Sequence, residues 1–371
     1  MSKQKRFNDN TAILSNNSIY KHFILNDYLP PWLQILGSYG KRLNYFDCFA
    51  GPGKYKWKNK IVDGSPLIAI NKCVEILSLE SKKNLKEINL YFFEIDKKNF
   101  ESLKSEIDTL ISNGLPNGLN IEIFNNDGET IIENLMDKKI KLAPTLFFID
   151  PYGHPYSFEL MRKIMKLNKV EIFLNFMYYQ IIRDIPNPDT EERCKRLFYP
   201  DDYHNLDLKV NDKFDAIKFL VYQHQRIDSK YYVPFNVNFG TDEPISSNRL
   251  KYQLIHYSNH FKAFSLMLNI MQRHSEHENS LIVRDGQLQL PFETKEESLN
   301  SKLLKKYNSN ESIKFDEIVE NNWKWYFKET DYRNTLKEME KENLIHVKRI
   351  TSKTSKGLSG DDIIKFGAND A

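Results

Sequence analysis

The chain has 371 residues, 40% hydrophobic and 13% aromatic, which supports a sizeable core, argues against wholesale disorder and suggests two domains rather than one. A formal net charge of +3 is nearly balanced, so any affinity for nucleic acid must come from local patches rather than from global charge. Cys48, Cys73 and Cys194 are odd in number and far apart, against a disulfide framework or a metal knuckle; with no signal-like segment and no run near the ~20 apolar residues of a membrane span, they point to a soluble cytoplasmic protein with no membrane partner.

In chain order, "SIYKHFILNDYLPPWLQIL" (18–36) reads as a helix, a break at Pro30-Pro31 and a second helix. "LNYFDCFAGPGKY" is a short β-rich run ending in a tight glycine turn, and "SPLIAINKCVEILSLE" (65–80) is a helix with Ser65 as N-cap and Pro66 at its first position. "EINLYFFEID" is a buried strand followed by the helix "NFESLKSEIDTLIS"; "LNIEIFNNDGETIIENL" is a strand, a loop with Asp127-Gly128, and a helix. "TLFFIDPYG" and "VEIFLNF" are further apolar strands. Strands alternating with helices over 40–180 predict an α/β fold with a parallel, doubly wound sheet. Residues 180–245 read as a largely helical insertion after the fifth strand. "YYVPFNVNFG" reads as a strand, and "SSNRLKYQLIHYSNHFKAFSLMLNIMQRH" as the longest amphipathic helix in the chain. The mixed segment 285–302 marks the domain boundary, giving a first domain of 1–290 and a second of 297–371. In the second, two short helices precede a strand, a glycine-tipped loop and a strand, the signature of a winged helix.

Four of the strands end in, or run into, an acid: Asp47, Glu94, Asp127 and Asp150. Ligand crevices of open parallel sheets lie at the carboxyl ends of the strands, so these acids stand where that rule puts a site. Ala50, Gly51 and Gly53 let backbone approach a ligand, yet the spacing fits neither the dinucleotide G-x-G-x-x-G nor the phosphate loop. Glu94 can accept both hydroxyls of a ribose, and Asp127 an adenine amino group. Singly, each acid reads better as a solvated strand end; the ordered set points to a ligand.

On "YFDCFAGPGKY", "DGSPLIAI", "FFEID", "FFIDPYG", "EIFLNF" and "SSNRLKYQLIHYSNH", spanning Tyr20 to His274, the chain resembles the three-Cys-motif partner proteins, which look like class I S-adenosylmethionine (AdoMet) methyltransferases. More distantly it is similar to the J-type ribosomal-RNA adenine-N6 methyltransferases, with Lys21-His22 matching an early Lys-His. The resemblance implies a Rossmann-like methyltransferase fold and AdoMet as cofactor. It also implies an AdoMet site lined by Lys21, Asp47, Gly51, Gly53, Ser65, Glu94, Asp127 and Gly128, with Asp150, Pro151 and Tyr152 at the methyl-transfer centre and no metal. The acceptor it implies is an amino group of RNA or DNA, held by hydrogen bonds and stacked on an aromatic ring. Asp150-Pro151-Tyr152-Gly153 lacks the second proline of the usual D/N-P-P-Y/F loop, so the ring arrives one residue early. That departure, and the family's name, leave open a non-catalytic or weakly catalytic partner subunit of a three-Cys-motif protein that binds AdoMet structurally or not at all.

Other residues weigh less. His256 and His260 sit i, i+4 on the long predicted helix, and His274 and His277 i, i+3, without the ligands of a zinc set. His154, after the Asp-Pro-Tyr-Gly turn, stands where it could touch substrate. Lys348, Arg349, Lys353 and Lys356 form a basic wing tip able to contact phosphates, whereas the helix "DYRNTLKEMEKEN" is acidic, which favours RNA, backbone-only contact or a protein partner over major-groove reading.

Overall fold

The strands of this chain alternate with helices up to residue 176 and then reverse direction. The computed structural model describes residues 12–14, 18–79, 84–138, 140–154, 156–185, 187–198, 227–239, 250–275, 280–281, 297–307, 312–350 and 357–367. By its internal contacts the chain divides into two units, Met1–Ile282 and Val283–Ala371.

In the first unit, α1 (Ile19–Tyr39) precedes β1 (Arg42–Asp47), the hairpin β2 (Lys54–Trp57) and β3 (Lys60–Asp63), and α2 (Ser65–Leu77). There follow β4 (Glu87–Phe93), α3 (Lys97–Ser112), β5 (Leu119–Phe124), α4 (Gly128–Asp137), β6 (Thr145–Ile149), α5 (Phe158–Met165) and β7 (Val170–Phe176). Short helices α6 (Tyr178–Asp184) and α7 (Glu191–Lys195) lead towards β8 (Tyr231–Asn238), β9 (Leu250–Ser258), α8 (Phe261–Ser275) and β10 (Ser280–Leu281). The main sheet runs β10-β8-β9-β7-β6-β1-β4-β5. From β7 to β5 every pairing is parallel, while β9 lies antiparallel to both its neighbours. The chain moves from β1 outward to β4 and β5, then returns to β6 on the other flank of β1. The carboxyl ends of β1 and β6 therefore bound the switch point, where open α/β sheets bind their ligands.

Apolar residues fill both faces of these strands, as a sheet covered by helices requires: Leu43, Tyr45, Phe46, Phe92, Phe147, Phe148 and Phe173 are buried. One polar row crosses them. Asn120 Nδ2 donates to Asn89 Oδ1 (2.9 Å), Asn89 Nδ2 to Asn44 Oδ1 (3.1 Å), and Asn44 Nδ2 to Thr145 Oγ1 (3.3 Å). A register slip would leave the buried Asn44 and Asn89 amides without partners, so the row ties four strands to one alignment.

Four sequence expectations need correction. The Pro30-Pro31 break is absent: α1 runs unbroken through both prolines. Each proline removes a backbone bond, but Leu29, Trp32 and Leu33 are buried around them, and Tyr28 and Trp32 are pinned to the sheet through Glu171. The described part of the segment 246–274 is a strand and then a helix, not one helix; Leu250–Ser258 inserts between β7 and β8, so packing on both sides overrides any helical period. His256 is thus a core residue of a strand. Gly64, not Ser65, caps α2, with Ser65 its first residue and Pro66 its second. The β2–β3 hairpin follows the glycine turn directly, where a turn alone was expected. Much of the 180–245 insertion, including "DAIKFLVYQHQR", lies outside the described residues. No described helix is long and apolar enough to cross a membrane.

The second unit contains α9 (Leu299–Lys306), β11 (Ser312–Lys314), α10 (Phe315–Asn321), a 3-10 turn (Trp323–Trp325), α11 (Glu329–Lys341), β12 (Ile345–Lys348) and β13 (Ile363–Phe366). Its antiparallel sheet runs β11-β13-β12, over a core that includes Leu303, Phe315, Ile318, Leu336, Met339 and Ile364. Arg349, expected to offer charge at the wing tip, is held by Glu340 through two hydrogen bonds (2.8 and 2.6 Å). Lys353 and Lys356 lie outside the described residues.

Candidate active site

Asp47 ends β1 fully buried, with Phe49 N–H on its Oδ1 (3.4 Å). Ser65 also donates to its carboxylate, which explains why that hydroxyl does not cap α2. Burial, with Asp150 and Glu94 close by, pushes the Asp47 carboxyl up to about 7. The turn after it is anchored to both neighbouring strand ends: Cys48 N–H donates to Phe148 O (2.9 Å) and Ala50 N–H to Phe93 O (2.8 Å). Gly51 and Gly53 take left-handed φ values of 66° and 85°, which strain any residue bearing a Cβ.

Glu94, just past β4, accepts Gly51 N–H on Oε2 (2.8 Å) and Asp96 N–H on Oε1 (2.7 Å). Burial raises its carboxyl above the ordinary value despite these bonds. The Asn99 side chain also donates to that carboxylate, whose four acceptor directions are therefore not all taken. Asp150, just past β6, receives Lys21 Nζ from α1 on Oδ2 (2.5 Å) and Asn175 Nδ2 from β7 on Oδ1 (2.7 Å). The Tyr55 hydroxyl, at the base of the hairpin, lies against Gly51 and within electrostatic reach of Tyr152, Asp150, Asp47 and Glu94.

Lys21, Asp47, Gly51, Gly53, Ser65, Glu94 and Asp150 thus converge around the ends of β1, β4 and β6. Asp127 and Gly128 stand one strand further out. Asp127 caps α4, accepting from Glu129 N–H (3.1 Å) and Thr130 Oγ1 (3.3 Å), and a Cβ on Gly128 would come within 2.3 Å of the Tyr156 hydroxyl. Pro151 is buried, whereas Tyr152 is 85% exposed and stacks on nothing among the described rings. His154 turns away from the acids towards the insertion, with Asp184 Oδ2 at 3.4 Å and Cys194 Sγ at 3.5 Å.

Three further residues belong to the site. Asn175 is the polar exception in "VEIFLNF", a signal available in the sequence, and Tyr55 was quoted there without a role. His22, beside Lys21, is fully buried, and burial and the Lys21 charge lower its imidazole to about 3, so it is neutral. Asn175 Oδ1 and His22 Nδ1 are buried without a hydrogen-bond partner. Orphaned polar atoms beside crowded acids suit a polar, cationic ligand. Among the described residues no three of His, Cys, Asp and Glu gather as a metal set.

No protein-family model matches the sequence, and no curated protein does. Among solved structures, the chain is similar to a spermidine synthase from Thermotoga maritima (11% identical, TM-score 0.31), over 65% of this chain and 62% of that one. It is similar also to a magnesium protoporphyrin IX methyltransferase from Synechocystis solved with bound SAH (11%, TM-score 0.28, 65% of this chain and 85% of that one). A third is a putative rRNA methylase from Clostridium thermocellum (12%, TM-score 0.28, 62% and 97%). The chain spans under two thirds of the synthase, and overlays this loose say nothing of activity.

Proposed function

We propose that the first unit is a class I AdoMet-dependent methyltransferase acting on an amino group of nucleic acid. The observation that carries this reading is the convergence of Asp47, Glu94 and Asp150 at the switch point of the sheet, with a single lysine among them. Three acids and one cation favour a positively charged ligand, and AdoMet carries both a sulfonium and an ammonium. Asn175 Oδ1 and His22 Nδ1, buried without partners, fit a bound polar group. Gly51 and Gly53 with the Asp47 carboxylate would hold the amino-acid end, and Glu94 the ribose; Asp127 keeps its capping role and borders the adenine side. Bound there, AdoMet supplies an electrophilic methyl group. Lys21 and Asn175 fix the Asp150 carboxylate, and Asp150, with the Pro151 carbonyl, orients an acceptor amine; the work is positioning. Tyr152, exposed at the loop tip, offers a ring to the acceptor base. The helix–strand–helix–helix–strand–strand order of the second unit supports reading it as a winged helix.

A second reading has its own observation. Both Asp150 oxygens are already engaged, by Lys21 and Asn175, which also suits a structural ligand-binding subunit of a three-Cys-motif protein. Tritiated-methyl transfer from AdoMet to total RNA, genomic DNA and a co-expressed three-Cys-motif protein separates the two. Transfer to nucleic acid that disappears in Asp150→Ala supports the enzyme; no transfer to any of them by a wild type that binds AdoMet supports the subunit.

A further inference from the structure

The stretch "KYKWKNKIV" (54–62) contains four lysines and no acid, in a chain whose charges otherwise nearly balance. It forms the β2–β3 hairpin, in register Lys54↔Asp63, Tyr55↔Val62, Lys56↔Ile61 and Trp57↔Lys60. The inner face is anchored: Tyr55, Trp57 and Val62 pack with Ala12, Leu14 and Ile19. Residues 12–14 extend the β2 edge, with Leu14 N–H donating to Lys56 O (2.9 Å) and Lys56 N–H to Ala12 O (2.8 Å). At the base, Gly64 N–H donates to Gly53 O (2.7 Å). The hairpin is therefore a fixed arm rising from the candidate active site, and four residues per strand carry its tip roughly 13 Å beyond the glycine turn.

Lys54 is paired with Glu106 (2.6 Å) at the base. Lys56, Lys58 and Lys60 are exposed, and the Lys58 ammonium lies 4.7 Å from the centre of the half-buried Trp57 ring. Exposed cations clustered on one rigid arm, with the Trp57 ring supporting the Lys58 ammonium, are a pattern that tracks a phosphate backbone. The crowded acids at the foot of the arm repel a polyanion, so a polyanionic substrate needs local cations to approach Asp150. The tip residues Lys58, Asn59 and Lys60 present nothing apolar to a bilayer.

We propose that the β2–β3 hairpin grips the phosphate backbone of a nucleic-acid substrate through Lys56, Lys58 and Lys60 and delivers it to the adjacent site. This rests on reading that site as a nucleic-acid methyltransferase, and the test separates the two. Anisotropy of fluorescein-labelled single-stranded RNA and DNA, titrated with the full chain between about 50 and 200 mM salt, gives the slope of log K against log salt. The Lys56→Ala/Lys58→Ala/Lys60→Ala variant should flatten that slope by about 2, at about 0.7 per lost phosphate contact, while the triple arginine variant retains it. AdoMet affinity by calorimetry should match wild type in both. An unchanged slope in the alanine variant overturns the proposal. So does wild-type binding to polyglutamate or phosphatidylserine vesicles but to neither oligonucleotide. A hairpin-dependent slope in a chain that binds no AdoMet supports the grip and removes the methyl-transfer reading instead.

Discussion

Two clusters of buried charge lie at opposite ends of the main sheet, and α1 touches both. At the amino ends of the strands, Glu171 of β7 accepts from the Tyr28 hydroxyl, from Trp32 Nε1 (3.1 Å) and lies against His256 Nε2 (2.8 Å). One acid there has three partners from α1 and β9, and both its oxygens are satisfied, although His256 Nδ1 on the far side of the ring has no partner. At the carboxyl ends, Asp47, Glu94 and Asp150 crowd together, one cation, Lys21, pairs with Asp150, and Asn175 Oδ1 and His22 Nδ1 nearby have no partner. The first arrangement suits an internal clamp, the second a ligand. Buried acids of similar exposure therefore differ in role by the donors around them, not by burial.

Removing Glu171 should do most damage to the fold. Glu171→Ala leaves three buried polar groups without their acceptor and should cost about 3–5 kcal/mol in urea unfolding. Glu171→Gln should cost less, because an acceptor oxygen remains. Wild-type stability in Glu171→Ala would erase the distinction between the clusters. At the other end, Asp150→Ala should lower methyl transfer by about a hundredfold or more through lost positioning. By leaving Lys21 and Asn175 without their acceptor it should also lower the unfolding midpoint, though less than Glu171→Ala does, because it relieves the crowding of acids. A large stability loss there would make Asp150 a second clamp.

Asp47→Asn sharpens the contrast through pH. With its folded value about 7 and its ordinary value 3.8, Asp47 holds its proton longer in the folded state than in the unfolded one. Its ionisation therefore removes stability as pH rises from about 4 through about 7. Asp47→Asn should nearly match wild type at pH 4 and exceed it by roughly 4 kcal/mol at pH 8. Equal stability at both pH values would mean that the Asp47 carboxyl is not strained by its surroundings. The smallest effect belongs to the second unit: Lys348→Ala, on an exposed strand end, should change the oligonucleotide salt slope by less than about 1.

The parallel core was legible because strands 87–93, 145–149 and 170–176 are largely apolar runs, the first two followed directly by an acid. The acids at their ends were legible for the same reason, and so were the turn glycines. Three features were hidden. Pro30-Pro31 has the local chemistry of a break, and only the pins from Tyr28 and Trp32 to Glu171, far away in sequence, make the helix continuous. Leu250–Ser258 alternates no better than it repeats helically, and its place between two strands decides. The roles of Asn175 and Tyr55 depend on neighbours that only the assembled sheet brings near, Asp150 from β6 and Gly51 from the turn.

The ligand-bearing character of the carboxyl-end cluster is tested most directly by isothermal titration of AdoMet into the full chain across pH 5 to 8. Wild type should bind, with affinity rising up to about tenfold per pH unit until Asp47 is ionised near pH 7. Glu94→Ala should bind far more weakly, and Glu171→Gln should bind as wild type does. No heat of binding from a folded wild type at any pH, or affinity indifferent to Glu94→Ala, would mean that these acids serve something other than AdoMet.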